Sequence, residues 1–161
     1  MPPPAPHTRH VHMHNEHGKV NVLPNRLAMT MHLSTFLQNP RVRLLCLGAA
    51  VLMYLTIITI GNVPGARADI GAYAPGAVLH SIAYAVLAAL WFSGSRGTPL
   101  VRACKAVLAI AAMGAGDEYV QSFFPYRGAS VRDWAVDVTA AIVAGSAMAL
   151  LAARAAVDVR R

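Results

Sequence analysis

Six polar residues in this chain fall into three pairs four positions apart: His80 and Tyr84, Asp117 and Gln121, and Asp133 and Asp137. On a helix, that spacing puts both members of a pair on one face. Glu118 lies beside Asp117, and Arg127 and Arg132 stand between the second pair and the third. The chemistry open to such a set is general acid–base work or recognition of an anion. His80 or Glu118 would serve as a base, with Asp117 or Asp137 holding it in position. The candidate catalytic residues are therefore His80, Glu118 and Asp117. The candidate ligand-binding set is His80, Tyr84, Asp117, Glu118, Gln121, Arg127, Arg132, Asp133 and Asp137. Guanidinium groups offer a planar fork to phosphate oxygens, so Arg127 and Arg132 are the phosphate contacts in a binding role.

These residues sit in unusually apolar surroundings. The chain has 161 residues, of which 56% are hydrophobic and only 13% charged. Soluble domains carry about 25% charged residues, so a water-soluble monomer is not expected. The net charge of +7 would suit nucleic acid, but mean hydropathy of +0.46 points to a membrane protein with cationic loops and not to a nucleic-acid partner. The lipid bilayer is the expected partner.

Four apolar runs follow Arg43: Leu44 to Ile60, Gly76 to Phe92, Ala106 to Phe124 and Trp134 to Ala153. Each is close to the roughly 17–25 residues that a spanning helix needs, and lipid demands helices or closed barrels. The runs are too continuous for barrel strands. The expected fold is all-α, an integral membrane four-helix bundle. Residues 43–154 form the membrane domain, 1–42 a disordered, His- and Pro-rich cytoplasmic tail, and 155–161 a basic cytoplasmic tail. Met29 and Met31 offer alternative starts that would omit most of the first tail. His10, His12 and His14 alternate, so an extended chain presents them on one side, but nothing fixes them as ligands. No metal and no cofactor are expected.

Basic residues orient the bundle. Arg9, Lys19, Arg26, Arg41, Arg43, Arg96, Arg102, Lys105, Arg154, Arg160 and Arg161 fall on one side, and only Arg67, Arg127 and Arg132 on the other. The richer side is cytoplasmic, which puts both termini inside. His80, Asp117, Asp133 and Asp137 then share the outer layer of the membrane. His80 lies about 6 Å and Asp117 about 10 Å from the outer ends of their runs, at 1.5 Å per residue. Ionisable residues at such depths are costly and by default mark function. Asp117 and Glu118 are expected to pair with Arg127 or Arg132. Ser130 or Asp133 caps the last helix, Trp134 and Tyr126 belong to an interfacial belt, and Ala141, Gly145 and Ala149 form a small-residue stripe for close packing.

The stretch from Gly116 to Ser130, with Asp117, Glu118, Gln121, Phe123, Pro125 and Arg127 at fixed spacing and Asp133 and Asp137 beyond it, resembles the VanZ-like family of small bacterial membrane proteins. His80 and Tyr84 match that family's upstream H-x-x-x-Y. Asp137 stands where many relatives have Asn, and Ala140 where Gly is common. The resemblance covers about Leu44 to Ala153. It implies a four-helix protein of the bacterial plasma membrane, and its founding member is associated with low-level resistance to the glycopeptide teicoplanin.

Three functional classes follow. The first modulates the envelope by binding a polar or phosphorylated lipid headgroup or another envelope component. The second is a membrane enzyme acting on an envelope lipid or precursor. The third is a small transporter, which the charge-free first run and the confinement of polar residues to one layer disfavour.

Overall fold

The computed structural model describes residues 39–65 and 76–158. They form four α-helices and no strand: α1 (Pro40–Gly61), α2 (Gly76–Gly94), α3 (Pro99–Gln121) and α4 (Val131–Asp158). Each is long and apolar enough to cross a membrane, the pattern of a multi-pass membrane protein. The His- and Pro-rich stretch 1–38 lies outside the described residues.

Local chemistry sets the helix ends. Asn39 caps α1, its Oδ1 accepting from Arg41 N at 2.9 Å, and Pro40 occupies the first turn, where a missing N–H costs nothing. The Thr98 side chain does the same for α3, ahead of Pro99. These caps start α1 and α3 upstream of the expected runs. The α3 helix stops at Gln121, three residues short of the expectation, because turns through Ser122–Phe124 lead into Pro125. The last helix has no Gly or Pro after Gly145 and continues through Asp158, beyond the expected boundary at 154. Its 28 residues span about 42 Å, more than a hydrocarbon core of about 30 Å.

The α2 helix packs against all three others, α4 lies along both α2 and α3, and α1 rests chiefly on α2. Ala50, Tyr84, Leu87, Ala88, Ile110 and Ala141 form the central core. Phe92, Ala103 and Ala106 form a second layer with Met148, Ala149 and Ala152. Ala141 is fully buried, and Gly145 faces Ala103 at close range, so the small-residue stripe is a packing seam. The two ends of the bundle differ. One carries His80, Asp117, Glu118 and Asp137, and is called the polar end. The other, the basic end, carries Arg43, Arg96, Arg102, Lys105 and Arg154. There Arg43 donates to Gly94 O, Arg102 to Phe92 O and Lys105 to Arg96 O.

Outward faces are apolar along their length. Leu44 is 72% exposed, Leu108 70% and Leu151 62%. Hydroxyls on these helices turn back on their own backbones: Thr56 donates to Leu52 O, Thr59 to Leu55 O, Ser81 to Ala77 O and Thr139 to Ala135 O. A surrounding of hydrocarbon rewards this self-satisfaction, since no water is there to accept.

Gly116 fixes one interhelical contact. A Cβ there would lie 2.6 Å from the Tyr54 hydroxyl, which donates to Met113 O at 2.8 Å and ties α1 to α3. The change Gly116→Ala should push the phenol away and lower stability by about 1–3 kcal/mol. In a Tyr54→Phe background, thermal unfolding in detergent should show a smaller penalty for Gly116→Ala, because the clashing oxygen is gone.

Candidate functional site

The polar end is built from residues on α2, α3 and α4, with α1 closing one side. His80 Nδ1 lies 3.0 Å from Asp137 Oδ1, joining α2 to α4. One turn along α2, the Tyr84 hydroxyl donates to Asp117 Oδ2 at 3.2 Å and joins α2 to α3. The two rings of α2 stack, with centroids 5.9 Å apart and planes 7° from parallel. The expected sharing of a helix face is thus realised, and each member of the pair reaches a different neighbouring helix.

Burial makes these bonds matter. Asp137 is fully buried, while Asp117 and Gln121 are each 2% exposed. A buried carboxylate without partners is strongly unfavourable. Gly114 lets Asp137 approach α3: a Cβ there would stand 3.2 Å from Asp137 Oδ2 and 3.2 Å from the Trp134 ring.

Asp117 and Glu118 point apart, as adjacent helical residues must. Asp117 faces α2, whereas Glu118 Oε2 accepts the Ser130 N–H at the start of α4. Ser130 is the cap of α4: its Oγ accepts from Asp133 N at 3.2 Å, and its carbonyl takes the first helical bond from Trp134. Glu118 therefore anchors the turn that launches α4, and Asp133 sits in the first turn of that helix.

Two expectations are corrected. Among the described residues, neither Asp117 nor Glu118 has Arg127 or Arg132 within 4.0 Å. The carboxylates are held by a phenol and a backbone N–H instead, because the turn after α3 places Ser130, not an arginine, over Glu118. Arg132 is exposed and borders a separate apolar groove between α2 and α4. Trp134 is the second correction. Its indole turns inward and donates to Ala111 O at 3.0 Å, so it is an interhelical clamp and not a belt residue. Tyr126 is half exposed and donates to Asn62 O at 2.7 Å, linking the turn after α3 to the end of α1.

A cavity of about 320 Å³ opens beside the cluster. Its polar lining is His80, Tyr84, Asp117, Arg127 and Thr56, and Ile57, Ile60, Leu79 and Ala83 supply apolar wall. Of the expected site, His80, Tyr84, Asp117 and Arg127 reach this space. Asp137 stands behind His80, and Glu118 and Gln121 are buried nearby. Tyr84 is the sole donor to the Asp117 carboxylate among the described residues. Among the described residues, Arg127 Nε is buried without a hydrogen-bond partner. The other buried side-chain atoms without partners are Asn62 Oδ1, Glu118 Oε1 and Asp137 Oδ2. All four belong to the polar end.

The contribution of α1 was not foreseen. Thr56 and Gly61 line the cavity, and Tyr54 packs over Gly116. Tyr54 and Thr56 are the available signals: with Thr59 they are the three hydroxyl side chains in an otherwise apolar run. Among the described residues, no three His, Cys, Asp or Glu side chains converge as metal ligands. No family model, curated protein or solved structure matches this chain.

Removing His80 strands a fully buried carboxylate. His80→Ala should therefore destabilise the protein by about 3–5 kcal/mol. The double change His80→Leu with Asp137→Leu, which removes both polar partners, should unfold at a higher temperature in detergent than the single change.

Proposed function

We propose that this chain is a VanZ-like protein of the bacterial plasma membrane that modulates the envelope by binding a phosphorylated or otherwise polar headgroup at its polar end. Both termini are cytoplasmic in this reading and the polar end faces outward. The segregation of Arg43, Arg96, Arg102, Lys105 and Arg154 at the opposite end supports that orientation. The quoted motif from Asp117 to Arg127 supports the family.

Arg127 carries the argument for a ligand. It lines the same cavity as the buried Asp117, yet among the described residues it pairs with no carboxylate. Its Nε is buried without a partner, and the side chain borders a cavity large enough for a headgroup. An anionic oxygen supplied from outside the protein would complete it, with a charge-assisted bond of the stronger kind. The apolar wall from Ile57, Ile60 and Leu79 suits a ligand that is itself part of the membrane.

One observation favours a second reading, a membrane enzyme acting on an envelope lipid or precursor. His80 is held by Asp137 while lining the cavity, which is the relation of a base to its orienting carboxylate. Asp117 shares that cavity, and Glu118 is the alternative base. Conversion of bound lipid to product by the purified protein would move the assignment to this class.

Because Arg127 forms no ion pair among the described residues, Arg127→Gln should change stability by only about 0.5 kcal/mol and leave membrane abundance unchanged. The same variant should lose co-purifying phosphorylated lipid and raise teicoplanin susceptibility in cells that depend on this chain. Unchanged lipid content and unchanged susceptibility at equal abundance would contradict the proposal.

A further inference from the structure

The cavity has an order along the membrane normal that narrows its ligand, given that it binds a phosphorylated headgroup as proposed above. Arg127 belongs to the turn beyond α3 and lines the cavity at the level of the helix ends, beside Gly61, the last residue of α1, and with Gly76, the first of α2. Asp117 lies deeper, four residues inside the end of α3, or about 6 Å at 1.5 Å per residue. Tyr84 lies eight residues into α2 and donates to Asp117 from deeper in the bundle. Hydrocarbon wall from Ile57, Leu79 and Ala83 runs alongside. From the helix ends inward the lining therefore asks for an anion, then a hydrogen-bond donor, with an alkyl chain next to both.

Asp117 is the selective element. Among the described residues its carboxylate accepts only the Tyr84 hydroxyl, and it is 2% exposed, so it has acceptor capacity left and almost no solvent to fill it. A diacyl phospholipid presents ester carbonyls immediately below its phosphate. Those are acceptors, and against a carboxylate they repel. A phospholipid that has lost one acyl chain presents a free glycerol hydroxyl at that depth instead. We infer that the polar end selects single-chain phospholipids, with the phosphate on Arg127, the free glycerol hydroxyl donating to Asp117 and the acyl chain along Ile57 and Leu79.

The test uses the full wild-type chain in mild detergent, with each ligand expressed as a mole fraction of the micelle. Three lipids of equal chain length are compared: 1-acyl-2-hydroxyglycerol 3-phosphate, its 2-methoxy analogue and diacylglycerol 3-phosphate. A hydrogen bond to a charged acceptor amounts to about tenfold in affinity or more, so the hydroxy lipid should bind at least about tenfold more tightly than either of the others. Free glycerol 3-phosphate, with the same phosphate and hydroxyl but no chain, should compete at least about tenfold more weakly than the hydroxy lipid. Arg127→Gln should weaken the hydroxy, methoxy and diacyl lipids alike.

Equal affinity for hydroxy and methoxy lipids, with Arg127→Gln still weakening both, would overturn the selectivity while leaving headgroup binding intact. Competition by free glycerol 3-phosphate as strong as that of the lipid would assign the site to a soluble phosphate and overturn the lipid. No binding of any of the three lipids would overturn the inference and the proposed function together.

Discussion

Burying carboxylates inside an apolar bundle is the constraint on which the rest of this structure depends. Asp117 and Asp137 are cut off from solvent, so each needs a partner that another helix supplies. His80 and Tyr84 meet both needs from a single face of α2, one turn apart. The register of α2 against α3 and α4 is thereby fixed at the polar end, and the apolar layers below it follow in step. Glu118 adds a third tie by anchoring Ser130, the cap of α4. The small residues Gly114 and Gly116 are what allow these side chains, and Tyr54 from α1, to come close enough.

Most of the architecture was legible in the sequence because hydrophobic length is a direct reading of lipid thickness. The four runs, their helical state and the common layer of His80, Asp117 and Asp137 all follow from residue type and spacing. Helix ends were less legible. Asn39–Pro40 and Thr98–Pro99 are cap signals that lie outside the apolar runs, so counting apolar residues alone begins α1 and α3 too late. Pairing was the least legible. Arginine opposite carboxylate is the simple electrostatic expectation, but partner choice depends on the path of the turn through 122–130. That path sets the Ser130 N–H over Glu118 and leaves Arg127 lining the cavity. Trp134 was misplaced for a related reason: an indole near a helix start suits an interface, yet the gap at Gly114 draws it toward α3.

The same arrangement frames the proposed activity. Side chains that tie the helices together spend part of their hydrogen-bonding capacity on one another, and among the described residues Asn62 Oδ1, Glu118 Oε1 and Asp137 Oδ2 stay without partners. The cavity itself is bordered by the second acceptor capacity of Asp117, the Nε of Arg127 and an apolar wall. A fully structural cluster would have brought Arg127 onto a carboxylate. Asp117 and Arg127 instead line one cavity, and it is this separation on which the proposed binding role rests.

An experimental structure of the full chain in a nanodisc containing a phosphorylated lipid tests this most directly. The account predicts a phosphoryl oxygen within about 2.7–3.2 Å of the Arg127 guanidinium, with the lipid chain passing Ile57 and Leu79. Arg127 folded onto Asp117 or Glu118, with protein side chains filling the cavity and no lipid in it, would contradict the account.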